Sequence, residues 1–286
     1  MTKNKIKIAI VGYGFVGKAT DFGFNKNCEK LLIDPKLKTP LNQVKSFSPD
    51  FIFICLPTPM LSNGSQDIEI LIDTLIELSS FSINSTIIIK STVLPDNLLK
   101  ATKIIPNLIY NPEFLREKFC NEDFINSPMI VIGGSEQESK KVAQLYKKNS
   151  SCLTNNYIFT DIITASLLKY TINSFLATKV LFFNQLKNIF DSSGALDSWD
   201  NFISYISFDS RMGGSHMSVP GHDGKLGFGG ACFTKDTAAL LNYAENLKVQ
   251  FDLLEKAVKL NNSIRSLYED IDQREKDQNV NYDFNH

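Results

Sequence analysis

Between Ile6 and Ile132 the chain alternates short apolar runs with polar, helix-compatible stretches. Ile6–Val11, Leu31–Ile33, Phe51–Cys55, Thr86–Ile89, Leu108–Tyr110 and Met129–Ile132 are each nearly continuous in apolar residues. That is the pattern of strands covered on both faces, and it predicts a parallel sheet flanked by helices. Near Thr160 the period changes. Asp161 can cap a helix, and Ile162, Leu168, Ile172, Phe175, Leu176, Phe183 and Leu186 then recur at three- and four-residue spacing. They predict one long helix to about Asp191, ended by SSG. A second helical segment, a glycine-rich loop LGFGGACFTKD (226–236) and a third helix from about Thr237 to Tyr268 follow. The closing EDIDQREKDQNVNYDFNH is polar and is expected to fray. The expected architecture is α/β: a doubly wound parallel sheet over residues 1–160, an all-helical domain over 161–268 that carries the glycine loop, and a polar tail over 269–286. So long an apolar helix in a small domain calls for a partner surface, so a homodimer through the helical domain is expected.

Length and charge narrow the field. The 286 residues suffice for two ordinary domains, and 30 Lys+Arg against 31 Asp+Glu give no global field for nucleic acid or anionic lipid. No apolar stretch approaches the roughly 20 residues of a membrane-spanning helix. The N-terminal apolar run leads straight into a glycine pattern, so it reads as a first strand rather than a signal peptide. Cys28, Cys55, Cys120, Cys152 and Cys232 form no CxxC pair. An odd, scattered set fits a reducing cytoplasm, and there is no repeat of solenoid period.

GYGFVG stands directly after the first strand. Gly12 permits the tight turn, Gly14 lets the backbone approach a pyrophosphate, and Gly17 allows close helix–strand packing, with Tyr13, Phe15 and Val16 completing the loop. The helix that follows offers its N–H groups and positive end to phosphate. Asp34 ends the second strand about 20 residues on, where a carboxylate accepts the ribose hydroxyls of a dinucleotide in a Rossmann-type domain. A carboxylate there repels a 2′-phosphate and favours NAD over NADP, although Lys36 works the other way. Later strands end in CLPTP (55–59) and KSTV (90–93). Pro57, Thr58 and Thr92 therefore stand at strand carboxyl ends, where ligands bind in open α/β sheets. A turn hydroxyl capping the next helix accounts for Thr58 equally well.

Three further groups carry chemistry. Lys169 and Asn173 lie four residues apart on the long helix and share a face, where a cation and an amide can stabilise an oxyanion. Glu113 and Glu117 share a face if NPEFLRE opens a helix, with Asn111 as its cap and Pro112 in its first turn. Cys232 sits on the glycine loop, and Lys235 or Lys169 can favour its thiolate. Asp236, four residues on, can orient or deprotonate a water or hydroxyl. Cys55, inside an apolar strand, reads as an inert core thiol, as do Cys28, Cys120 and Cys152. His216, His222 and Asp223 lack a fourth ligand and regular spacing, so this stretch reads as a polar substrate loop, not a metal site.

GYGFVG, LPTP, KSTV, NPEFLRE, KYTINSFLATK and GFGGACFTKD occur in the order and approximate spacing of the UDP-glucose/GDP-mannose dehydrogenase family, and the chain resembles it from about residue 6 to 265. The resemblance implies that NAD oxidises a nucleotide-sugar C6 alcohol twice, to a carboxylate. Cys232 would hold a thiohemiacetal and then a thioester, and Lys169 and Asn173 would stabilise oxyanions. Asp236, Thr92 and a water would manage protons, with Glu113 assisting hydrolysis. Glu117 would hold the water or cofactor, and Lys235 the cofactor. Glu113, Phe114, Leu115, Phe228, Gly229 and Gly230 would contact the sugar, and Arg211 would reach it across a dimer. The family carries a third, nucleotide-binding α/β domain, so the chain reads as a short form without it. Ser166 and Thr234 stand where the family prefers glutamate and proline. Two other readings remain: a two-electron hydroxyacid or sugar-acid dehydrogenase, which needs no thiol, and an NAD-binding regulatory subunit that has lost catalysis.

Overall fold

Both faces of the first strand are buried. In β1 (Ile6–Val11) Ile8 and Ile10 enter one apolar cluster, while Ala9 and Val11 enter another. The period-two alternation of side chains makes this unavoidable for a fully covered strand. In the computed structural model, which describes residues 5–283, the elements after β1 run α1 (Phe15–Gly23), β2 (Cys28–Ile33), α2 (Gln43–Phe47), β3 (Phe51–Ile54), α3 (Glu69–Ser79), β4 (Thr86–Ile89), α4 (Pro95–Ile104), β5 (Ile109–Tyr110), α5 (Cys120–Ile125), β6 (Ile130–Gly133), α6 (Glu136–Asn149) and β7 (Tyr157–Thr160). The helices α7 (Ile162–Ser192), α8 (Trp199–Ser207), α9 (Ala231–Asn246), α10 (Asp252–Arg265) and α11 (Gln273–Asp277) complete the order. The chain divides into two units. One runs up to Thr58 and over Ile68–Lys169, and the other takes Pro59–Asp67 and the chain from Tyr170 onward.

The first unit is a seven-stranded sheet in the order β2-β1-β3-β4-β5-β6-β7. Its first face packs on Leu71, Leu75 and Leu78 of α3 and on Leu98 and Ala101 of α4. The opposite face packs on Ala19 of α1, Phe124 of α5, and Val142 and Tyr146 of α6. The strands expected from the apolar runs are present, and β2 begins earlier, at Cys28. Two features correct the sequence reading. The sheet is not wholly parallel: β6 meets β5 antiparallel through Tyr110 and Gly133, and β7 then pairs parallel to β6. The edge strand β7 was not expected, because Ile158 and Phe159 are 36% and 51% exposed and give no buried-strand signature.

The change of direction at β5 is held by a buried polar knot. Asn111 follows β5, and its Nδ2 donates to the Val131 carbonyl on β6 at 2.7 Å. Its Oδ1 accepts from the Tyr146 hydroxyl at 2.6 Å and from Lys90 Nζ at 3.1 Å. Lys90 also donates to the Asn111 carbonyl at 3.3 Å and to Tyr146 Oη at 3.2 Å. Asn111 is therefore not the helix cap that NPEFLRE suggested. Residues 112–116 are irregular, and the chain turns helical only in a 3₁₀ turn at Glu117–Phe119.

The second unit is helical. Phe183, Trp199 and Met217 form a buried cluster that Phe190 and Phe202 flank. Asp161 caps the start of α7 as expected, accepting the Ile163 and Thr164 N–H groups, each at 2.9 Å. The single helix expected from Thr237 to Tyr268 is instead two. Lys248 takes φ +58°, its N–H returns to Glu245 O and the Val249 N–H returns to Ala244 O. That is a Schellman ending with lysine in the left-handed position normally given to glycine. Part of the tail expected to fray is also helical: α11 carries a capping box in which Asp272 and Glu275 bond each other's backbone N–H groups, while residues 284–286 of that tail lie outside the described residues.

All three hydrogen-bond acceptors of the Lys90 ammonium are uncharged oxygens, and burial lowers its pKa from 10.5 to about 8. Between these values the unfolded chain holds a proton that the folded chain has released, so stability rises with pH over this window. The stability of the native protein minus that of Lys90→Met should accordingly grow, by on the order of 3 kcal/mol, from about pH 8 to about 10.5. Urea unfolding across that range measures it, and a flat difference would mean that the ammonium stays charged in the fold.

Candidate active site

In the first unit the glycine turn is built as the spacing implied. Gly12 has φ +91°, and a Cβ on it would lie 2.5 Å from the Cys55 carbonyl oxygen; a Cβ on Gly17 would lie 2.0 Å from the Gly12 oxygen. Sterics inside the protein thus dictate both. Gly14 is different, because a Cβ there would meet nothing within 4 Å. It is exposed at the start of α1, which no side chain caps. The protein alone does not need that glycine, whereas a phosphate on the helix N-terminus does. Asp34 accepts the Tyr13 N–H at 2.7 Å and the Lys36 N–H at 2.8 Å, so its carboxylate is fixed beside the turn. The Tyr13 hydroxyl donates to Asp21 at 2.7 Å, which raises its pKa to about 12. Phe15 and Val16 open α1. These residues fit a dinucleotide, with Asp34 as the acceptor for ribose hydroxyls.

Thr58 neither caps a helix nor stays open. Its hydroxyl donates to the Thr92 carbonyl at 2.9 Å and ties the loop after β3 to the loop after β4, beside exposed Pro57. Glu113 and Lys169 meet at 3.3 Å with both side chains buried, and the ammonium lies 5.3 Å from the ring centre of Phe114. The Glu113 carboxylate also accepts the Leu115 N–H at 2.5 Å. Glu117, by contrast, is exposed in the 3₁₀ turn and shares no helical face with Glu113, because NPEFLRE is not a helix.

The second unit gathers the remaining chemistry on α9. Sequence reading put Cys232 on a loop, but it is the second residue of this helix, with Gly230 as the N-cap at φ +78°. The thiol is partly exposed. A helix N-terminus favours the thiolate. One turn later Asp236 is 1% exposed, and its two oxygens are engaged separately: Oδ1 by Lys235 Nζ at 2.6 Å and Oδ2 by Asn173 Nδ2 at 2.6 Å. Arg274 on α11 places Nη2 3.7 Å from Cys232 Sγ.

The glycine loop is clamped. Asn184 Oδ1 accepts the Gly227 N–H at 2.8 Å, and Asn261 Oδ1 accepts the Phe228 N–H at 2.7 Å. The buried Arg265 donates to Asp223 at 2.5 Å and to the Gly227 carbonyl at 2.9 Å. A Cβ on Gly229 would strike that guanidinium at 2.6 Å, so packing explains this glycine; Gly230 faces open space. Phe228 is buried rather than lining an open pocket. His216 lies against Phe233, with ring centres 5.4 Å apart. Arg211 is exposed and makes local contacts, pairing with Asp209 at 2.5 Å. Sequence reasoning missed Lys90, Asn184, Asn261, Arg265 and Arg274. Only Arg274 left a legible signal, the D-x-x-E capping box around it. Burial raises the pKa of Cys55 to about 12 and also raises those of Cys28 and Cys152, in keeping with inert thiols.

Comparisons with known proteins converge on one family. The model for the UDP-glucose/GDP-mannose dehydrogenase family, NAD binding domain, matches residues 35–150, and that for the family's central domain matches residues 163–263. The chain is 36% identical over 230 residues to the UDP-glucose 6-dehydrogenase of Rickettsia bellii, across 77% of this chain and 50% of that protein. It spans about half the length of the curated relatives it matches. Among solved structures, a UDP-glucose dehydrogenase from Pyrobaculum islandicum aligns with a TM-score of 0.77 at 22% identity, over 92% of this chain and 69% of that one. The 3-hydroxyisobutyrate dehydrogenase of Mycobacterium tuberculosis aligns with a TM-score of 0.72 at 14% identity, over 94% and 96%. At such identities the structural likeness concerns the fold alone.

The contrast between two glycines is testable. Gly14→Ala should keep the thermal midpoint of the native protein while weakening NAD binding at least about tenfold by calorimetry. Gly17→Ala should lower the midpoint itself, because its Cβ has nowhere to go. Equal NAD affinity in Gly14→Ala would remove the phosphate from this turn.

Proposed function

The chain belongs to the UDP-glucose/GDP-mannose dehydrogenase family, and from that membership we propose that it oxidises the C6 primary alcohol of a nucleotide sugar to a carboxylate through a covalent intermediate on Cys232. The observation that carries this reading is the first turn and a half of α9, where a partly exposed thiol at a helix N-terminus precedes a buried carboxylate held by a lysine and an amide. NAD, when bound at Gly12–Gly17 and Asp34, supplies the acceptor for hydride at each of two oxidations.

The residues divide the remaining work. Asp236, with Thr92 and a water, takes the alcohol proton during the first oxidation. The Cys232 thiolate then adds to the aldehyde carbon; a C–S bond forms and the carbonyl pair moves to oxygen. Asn173 and Lys169 are the donors for that oxyanion, an amide and a cation one helical turn apart. Oxidation of the thiohemiacetal leaves a thioester. Glu113 takes a proton from water as its oxygen attacks the acyl carbon, and the C–S bond breaks to return the thiolate. Four electrons leave as two hydrides, and water contributes the second carboxylate oxygen. Glu117 belongs to the water or the cofactor, Lys235 to the cofactor, and Leu115 and Gly230 to the sugar. In this reading the sheet unit carries NAD and the helical unit the thiol and the dimer. A reducing cytoplasm suits its five free cysteines.

Phe175, Phe182 and Ile189 support a homodimer. They recur every seven residues along α7 and are 67%, 57% and 66% exposed. Such a stripe costs solubility unless covered, and a second copy of the same helix would complete a self-complementary interface. Arg211 would then serve the neighbouring copy. A second reading, two-electron oxidation of a hydroxyacid, draws on the two-domain fold that this chain shares almost end to end with 3-hydroxyisobutyrate dehydrogenase.

The readings separate on stoichiometry and on sulfur. With UDP-glucose or GDP-mannose the native protein should form two NADH per sugar acid, and Cys232→Ser should lower acid formation by at least about 10³-fold. One NADH per turnover, or full activity in Cys232→Ala, would select the two-electron reading; NAD binding without turnover would select a subunit that only binds.

The stripe on α7 gives an independent check. Phe182→Glu should convert a dimer to a monomer in light scattering while the far-ultraviolet spectrum stays unchanged. A native protein that already scatters as a monomer would rule the dimer out.

A further inference from the structure

The two cations that the sequence offered to Cys232 are each committed to a carboxylate: Lys235 to Asp236 at 2.6 Å and Lys169 to Glu113 at 3.3 Å. A lysine beside a buried carboxylate forms a pair with little net field to lend a thiol. The guanidinium that lies against the sulfur comes from a segment outside the matched central domain, which ends at residue 263. Arg274 Nη2 is 3.7 Å from Cys232 Sγ.

We propose that Arg274 is an activating residue for Cys232: its guanidinium stabilises the thiolate, so that the S–H bond breaks with the electron pair left on sulfur and the proton released to solvent. The inference rests on the reading of Cys232 as the nucleophile given above. Its support lies in how the arginine is delivered. α11 has five residues, far too few to hold itself together in water. It is held by contacts to the N-cap of α9, to Met60 and within its own segment. Glu275, next to Arg274, is 5% exposed, and its Oε1 accepts the Gly230 N–H at 2.8 Å and the Tyr282 hydroxyl at 2.6 Å. Its Oε2 accepts the Asp272 N–H at 3.0 Å, closing the capping box. Gln278 adds a carbonyl that accepts the Met60 N–H at 3.0 Å.

The anchor is therefore the N-cap of α9 itself, two residues before the thiol, and the anchoring residue and the cation are neighbours in sequence. Burial and the bond to Glu275 both push the pKa of Tyr282 up, so its hydroxyl stays a donor throughout the working range. Arginine suits the task, because its guanidinium remains charged at every pH where the enzyme would work. It is also a rigid, planar donor that can lie against sulfur without being deprotonated itself.

The test reads the thiol directly. The rate of Cys232 alkylation by iodoacetamide, followed in the Cys232 peptide by mass spectrometry, is measured against pH for native protein, Arg274→Gln and Arg274→Lys. Arg274→Gln should move the midpoint up by about one pH unit and slow alkylation at neutral pH about tenfold; Arg274→Lys should recover most of both. If the glutamine variant loosens α11, the lysine variant still decides, because it keeps the charge on the same stem. Superimposable profiles for all three proteins would overturn the proposal. So would a lysine variant as shifted as the glutamine one. Neither NAD nor sugar enters the measurement, so the two readings fail separately. An unshifted midpoint with intact four-electron oxidation defeats only the role of Arg274. A shifted midpoint without sugar oxidation keeps that role and defeats the proposed function.

Discussion

A carboxylate that is 1% exposed cannot remain ionised in an apolar interior without partners. Asp236 has two, Lys235 and Asn173, one on each oxygen. This pairing fixes α9 more firmly than its apolar residues alone could. Thr234 to Leu241 are all buried, so the helix has no solvent-facing stripe there on which a misplaced charge could escape. Any rotation about the helix axis would strand the carboxylate in hydrocarbon, at several kcal/mol. The first turn, and with it Cys232, inherits that orientation.

The same rule is met differently in the sheet unit, and the difference assigns roles. Lys169 is paired with a carboxylate, so the two compensate each other while both stay buried. Lys90 hydrogen-bonds only to neutral oxygens and, with burial outweighing the pull of Glu113, gives up its proton more readily. One lysine is held as an ion beside an acid; the other is a hydrogen-bonding strut. The strut ties β4 and α6 to the residue that reverses the sheet direction, and Asn111 in turn fixes the exit of the chain two residues before Glu113. Lys90 thus sets where Glu113 begins, without touching it.

Much of this was legible in the residues. Apolar runs located the first six strands, because strands covered on both faces cannot hide their composition. The glycine spacing located the tight turn after β1, since two of its three glycines answer to steric contacts within two or three angstroms. What escaped was of another kind. β7 is an edge strand with half-exposed side chains, and the ending of α9 puts Lys248 where the usual marker is glycine. Asn111 was misread because an asparagine before proline looks like a cap, and only the fold reveals the buried carbonyl of Val131 across from it. Arg274 was lost because a polar composition was taken to mean disorder. Its segment gains order from the buried Glu275 and Val280 and from bonds to residues about 45 and more than 200 positions away, and of these only the D-x-x-E capping box shows in the local sequence.

The glycine-rich stretch before the thiol suggests flexibility, yet its three glycines answer to three different constraints. Gly227 has φ +73° with Asn261 Oδ1 2.6 Å from where a Cβ would stand, and Gly229 is pressed on Arg265; Gly230 alone turns a left-handed backbone toward open space. Asn184, Asn261 and Arg265 hold the loop by its N–H and carbonyl groups from inside the unit. The stretch is hydrogen-bonded to the unit on its way to the residue that caps α9, and the one of its three glycines whose surroundings are empty stands two residues before the thiol. Oxidation of an alcohol by one hydride transfer needs no sulfur nucleophile, whereas oxidation of an aldehyde through a covalent adduct does. A catalyst that must keep one carbon in place through two oxidations has a use for a fixed sulfur, because each lost degree of freedom is then prepaid before the second begins.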